Sequence, residues 1–117
     1  MNEYTRKMKY FAEQSSENKI MMYFYGADLR CGHLGLTELA KKKKIHVNQL
    51  KGGEFLIFSN LKQTRFKLLG PNGVLVYLKP DSSDKIEMEA ISMLPRLFNG
   101  TDFNYRAAAK LGFKKAA

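Results

Sequence analysis

The sequence predicts an α+β domain: a mainly antiparallel sheet of four to five strands with helices packed on one face. Three observations carry this expectation. Ile20 to Tyr25 and Glu54 to Phe58 are runs rich in aromatic and β-branched residues, lie beside glycines, and read as buried strands. Around Gly70-Pro71-Asn72-Gly73, Arg65 to Leu68 alternates polar with apolar and Val74 to Lys79 returns as a strand, so 54 to 79 is a hairpin or meander. Apolar residues recur at helical spacing over about 33 to 43, around 91 to 98 and in the tail.

Taken in order, Tyr4, Met8 and Phe11 place a short amphipathic helix over 3 to 14, stopped by Ser15-Ser16-Glu17-Asn18. After the first strand and Gly26, Asp28 is a candidate helix cap. Leu36, Leu39 and Ala40 form the buried stripe of the next helix, which Lys41 to Lys44 close where positive charge suits the dipole. Period two puts Arg65 and Lys67 on one sheet face and Phe66 and Leu68 on the other. Pro80 to Asp84 is a second turn, and Lys85 to Met88 reads as a short edge strand. Ile91, Leu94, Leu97 and Phe98 continue as a helix around Pro95 that ends at Asn99-Gly100, and the tail from Asp102 is helical in pattern. In that tail Phe103, Ala107 and Leu111 form an apolar stripe beside a basic one of Arg106, Lys110 and Lys114. The chain thus divides into an N-terminal arm (1–19), an α+β domain (20–103) and a basic C-terminal helix or tail (104–117).

At 117 residues the chain is long enough to bury roughly two thirds of its unfolded surface as one domain. Cys31 is the sole cysteine, so no intrachain disulfide forms and a reducing cytoplasm is the expected compartment. The opening residues lack the apolar run of a signal peptide, and no apolar stretch is long enough to cross a bilayer, so no membrane partner is expected.

Charge is unevenly distributed. Residues 41 to 79 hold nine Lys/Arg against Glu54 alone, a net of +8 in a chain whose total is +9. Such a localised field favours a polyanionic partner, nucleic acid above all. The expected contacts are Arg30, the run Lys41, Lys42, Lys43 and Lys44, then Lys62, Arg65, Lys67 and Lys79, and finally Arg106 and Lys110 in the tail. Each has a plainer reading. A lysine-rich helix end is usually a solvated face, one sheet face is often wet, and strand tyrosines such as Tyr23, Tyr25 and Tyr77 are more often core or rim than base-stacking residues.

Catalytic and metal chemistry find little support, and neither a catalytic residue nor a metal or cofactor is expected. Cys31, His33 and Asp28 are close in sequence, but adjacency is not nucleophile–base geometry. Cys31, His33 and His46 lack zinc-site spacing, the acids stand in separate elements, and Gly26, Gly32 and Gly35 match neither phosphate-loop order.

Several segments together carry a family resemblance. They are Asp28-Leu29-Arg30-Cys31-Gly32 with Gly35-Leu36, Gly53-Glu54-Phe55-Leu56-Ile57-Phe58-Ser59-Asn60, Arg65-Phe66-Lys67-Leu68-Leu69, Gly73, Tyr77-Leu78-Lys79, and Leu97-Phe98-Asn99-Gly100-Thr101-Asp102-Phe103. Over about 20 to 103 the chain resembles the accessory proteins encoded by the second open reading frame of the sixty-six family of bacterial insertion sequences, often called TnpB. It departs from that pattern at Cys31, where Lys is common, at the turn Gly70 to Gly73, commonly aromatic-acidic, and at Ile86-Glu87-Met88-Glu89, commonly an aromatic strand. These departures are consistent with a diverged member on a phage or plasmid. The resemblance implies a non-catalytic factor of a mobile element, acting beside a separate DDE transposase, with Arg30, Arg65, Lys67 and Lys79 at matching basic positions. The rival expectation is an interaction module or phage or plasmid adaptor that docks on another protein, or on a second copy of itself, without touching DNA.

Overall fold

The computed structural model describes residues 19–99 and 102–116. The expected helix over 3 to 14 and Gly100 lie outside them, as does the expected arm except Lys19. Strands β1 (Lys19–Tyr25), β2 (Glu54–Ser59), β3 (Phe66–Leu69) and β4 (Leu75–Pro80) form the main sheet with a C-terminal strand, Phe113–Lys115, in the order first, second, third, fourth, C-terminal. The first pair is parallel and joined through helix α1 (His33–Lys42), while the other three pairings are antiparallel. This is the α+β fold with a mainly antiparallel sheet of five strands that the pattern anticipated.

Helices pack against both sheet faces, rather than one. Neighbouring strand residues point to opposite faces, so Leu56 and Phe58 pack with Leu36 and Ala40 of α1 and with Val47, while Ile57 lies with Phe66, Leu68, Val76 and Leu78 on the other side. Ile91 of helix α2 (Met88–Met93) covers that second side. The cause lies in the strands: all of Phe55 to Ser59 and all of β3 are buried, and a strand with no polar face needs apolar cover twice. Helix α1 stops where predicted. Lys41 and Lys42 occupy its last turn, and Lys44 adopts left-handed backbone at φ 63°.

Asp28 does not cap α1. Its N-cap is Gly32, with no side-chain bond, whereas Asp28 accepts from the Arg30 backbone N–H at 3.0 Å. Residues 85 to 87 form no edge strand, and Met88 opens α2, because the free edge of β4 is taken by the C-terminal strand. The chain from Met93 runs through one 3₁₀ turn into a small hairpin of β5 (Phe98–Asn99) and β6 (Asp102–Phe103).

The tail is the largest departure. Asn104 caps α3 (Tyr105–Lys110) by accepting from the Ala107 N–H at 3.0 Å. Ala108 of α3 then joins Ile91 in the core on the side away from α1. Leu111 and Gly112 terminate the helix, Gly112 at φ 94°, and the chain reverses into β7 (Phe113–Lys115). Phe113 is fully buried, edge-on to Phe66 at 5.6 Å between ring centroids. The basic stripe expected along one helix is therefore split, with Arg106 and Lys110 on α3 and Lys114 on a strand.

Candidate nucleic-acid interface

Strand register decides which cations meet. Lys79 of β4 stands opposite Lys114 of β7, and Lys67 of β3 stands opposite Tyr77 of β4. Continuing the β3–β4 register one step beyond Phe66 and Leu78 sets Arg65 beside Lys79. Lys79 and Lys114 thus stand side by side on neighbouring strands, about 4.8 Å apart per strand, on the face that also carries Lys67 and Tyr77, and Arg65, the residue before β3, extends their row by register. Like charges directly opposite repel. Among the described residues one carboxylate pairs with this row: Asp81 Oδ1 lies 3.8 Å from Lys114 Nζ, with both side chains about half exposed.

Lys67 belongs to this face but is not a surface cation. It is 9% exposed, donates from Nζ to the Cys31 carbonyl at 2.9 Å, and lies 4.9 Å from the centroid of the Tyr77 ring. Phe58 flanks it on the other strand. Alternation correctly assigned the face, yet the connection from β1 to α1 folds across it and takes the ammonium. Tyr77 is half-buried beneath that contact, and Tyr23 is fully buried, its hydroxyl donating to Ser59 Oγ at 2.9 Å. Burial pushes the Tyr23 phenol above its ordinary pKa, with its hydrogen bonds to Ser59 and from Gln63 opposing.

The remaining candidates scatter. Arg30 is exposed but grips Asp28 with two parallel bonds, Nε to Oδ1 and Nη2 to Oδ2, each 3.0 Å. Those bonds and the Arg30 backbone N–H hold the Asp28 carboxyl down from its ordinary 3.8 to about 2. Lys41, Lys42, Lys43 and Lys44 are all exposed around the end of α1. Lys42 and Lys43 also line a hollow of about 440 Å³ with Asp28, Glu38 and Cys31, where two acids offset two lysines. Arg106 and Lys110 are exposed on α3, which packs on the opposite sheet face, so no single surface gathers all the expected cations. Lys62 lies in the loop between β2 and β3. Lys114 was absent from the expected contacts, and its signal was Gly112, a helix terminator followed by a phenylalanine that must be buried.

Cys31 is half-buried, its Sγ against Gly35, and His33 packs against Gly73 with Nε2 buried and, among the described residues, without a hydrogen-bond partner. Among the described residues no group of three His, Cys, Asp or Glu is placed to hold a metal ion, and no helix is long and apolar enough to cross a membrane. No family model matches this chain, and no curated protein or solved structure matches it either.

Proposed function

We propose that this chain is a non-catalytic, cytoplasmic accessory protein of transposition that binds nucleic acid, DNA in the first instance, through the β3–β4–β7 face. The supporting observation is the pair of Lys79 and Lys114 on adjacent strands, with Arg65 just before β3 in line with them by register and Asp81 as the one acid paired to them among the described residues. A phosphate backbone relieves the mutual repulsion of such a row and releases its own counterions on binding. The assignment to transposition, and to a DDE transposase as partner, rests on the family resemblance alone.

Fluorescence anisotropy against duplex DNA, single-stranded DNA and RNA over a salt series tests the reading. Wild-type protein should lose affinity steeply with salt. Replacing Lys79 and Lys114 by Ala should lower the log–log salt slope by about 1.8, at about 0.9 per lost phosphate contact. Absence of binding at low salt, or an unchanged slope in the double variant, overturns it.

A further inference from the structure

A second cationic surface lies where the β2–β3 loop meets the turn after β4. A cleft of about 350 Å³ is walled by Lys62, Thr64 and Arg65 on one side and by Ser82, Ser83 and Lys85 on the other, with Asp84 the one acid in its lining. Lys85 was not among the cations expected to bind.

The wall formed by the hairpin loop is braced by hydrogen bonds within the loop and from β1. Asn60 Oδ1 accepts from the N–H groups of Thr64 and Arg65 at 2.8 and 3.3 Å, and Asn60 Nδ2 donates to Thr64 Oγ1 at 2.7 Å. Two tyrosines of β1 reach across to the same loop. The Tyr25 hydroxyl donates to the Leu61 carbonyl at 3.0 Å, and Gln63 Nε2 donates to the Tyr23 hydroxyl at 3.1 Å. Gln63 is thereby held in left-handed backbone, φ 56°, a conformation that costs energy for a residue with a side chain. On the facing wall, Ser82 Oγ accepts from the Asp84 N–H at 3.2 Å.

Exposed hairpin tips are ordinarily among the looser parts of a domain. One held by several side-chain hydrogen bonds, one of them to the buried Tyr23, presents its cations with less ordering cost on binding. The groups presented are two ammoniums, a guanidinium and three hydroxyls. All can donate to an oxyanion; Arg65 Nη1 already donates to the Thr64 carbonyl at 2.8 Å, which leaves the Nε and Nη2 edge of the guanidinium to meet two oxygens of one phosphorus. We propose that this cleft is a binding site for a phosphate group. The site stands apart from the sheet-face reading, with which it shares Arg65 alone.

The full chain, labelled with nitrogen-15 and titrated with inorganic phosphate at low salt, should show saturable amide shifts confined to 62–65 and 82–86. Lys85→Gln, an exposed change, should weaken that binding roughly fivefold to tenfold, the effect of one charge-assisted bond. Lys51→Gln, at the opposite end of β2, should leave it unchanged. Shifts that never saturate, or equal weakening by both variants, would mean general counterion attraction and overturn the proposal. Two oligonucleotides, one with a 5′-phosphate and one with a 5′-hydroxyl, then identify the source. A preference for the phosphorylated strand that Lys85→Gln removes assigns the cleft to a nucleic-acid end, and equal binding of the two assigns it to free phosphate compounds. If duplex DNA fails to bind while phosphate still saturates the cleft, the sheet-face reading falls and this one stands.

Discussion

Replacing Lys67 tests whether the ammonium on β3 belongs to the fold or to a ligand. Truncation to Ala removes three methylenes beyond Cβ, about 0.8 kcal/mol each when buried, from a side chain only 9% exposed. It also removes the bond from Nζ to the Cys31 carbonyl, about 1.5 kcal/mol for a charged donor, and the contact with the Tyr77 ring, about 0.5–1 kcal/mol. Relief of a partly desolvated ammonium offsets about 1–2 kcal/mol, leaving a net loss of about 3 kcal/mol. With a urea m-value of roughly 1.5 kcal/mol/M, the unfolding midpoint should fall by about 2 M. Lys67→Met keeps the stem and should cost only about 1–2 kcal/mol, and a double-mutant cycle with Tyr77→Leu should return a coupling of about 0.5–1 kcal/mol. Because the ammonium is committed to Cys31, Lys67→Met should leave the DNA salt slope unchanged. A Lys67→Ala protein within about 0.5 kcal/mol of wild type, the range of ordinary surface changes, would refute this account. So would a Lys67→Met slope reduced by about 0.9, the signature of a lost phosphate contact.

Three further perturbations probe the scaffold. Asp28 is held at about 2, below its ordinary 3.8, chiefly by hydrogen bonds from Arg30, so its stabilisation is complete above about pH 4 and is lost as the pH falls toward 2. Asp28→Asn should flatten the acid limb of urea stability in that window, and parallel limbs in the two proteins would contradict it. Tyr23 has the opposite sign: its pKa is raised by burial, so the contribution is full below pH 10 and is lost as the pH rises beyond it. Tyr23→Phe should cost about 1 kcal/mol at neutral pH through the orphaned Ser59 and Gln63 partners, yet soften the alkaline limb; an equally steep limb would show that Tyr23 does not titrate with unfolding. Gly112→Ala should lose about 1–2 kcal/mol from left-handed strain, aggravated by Ile86 Cδ1 3.1 Å from the new Cβ. Hydrogen exchange at the Ala116 amide, which bonds the Tyr77 carbonyl at 3.0 Å, reads the loosening of β7; unaltered protection would contradict the assignment of Gly112 as its hinge.

The parts legible from sequence are those that local chemistry settles. Phe55 to Phe58 admits no solvated face. Leu36, Leu39 and Ala40 make a stripe that only a helix aligns, and Gly70-Pro71-Asn72-Gly73 bends between two strands, with Asn72 at φ 61°. Where local preference was weak or misleading, long-range pairing won. Ala107 to Lys110 is a strong helix former, and its pattern obscured the stop at Gly112 and the strand beyond it. Met88 was read as the end of a strand and starts a helix, since the edge it would have extended was already occupied.

The cationic surface divides along the same line. Alternation alone placed Arg65 and Lys67 on a shared face, because neighbouring residues of a strand point opposite ways wherever the strand lies. That Lys67 is consumed by the Cys31 carbonyl 36 residues away, and that Lys114 arrives beside Lys79 from the chain's far end, depends on loop closure and strand order, which no local periodicity encodes. The sequence by itself determined how much positive charge the protein carries and on which strand faces some of it lies. Only the tertiary structure decided which of those charges are spent inside, which stand together, and which line a cleft.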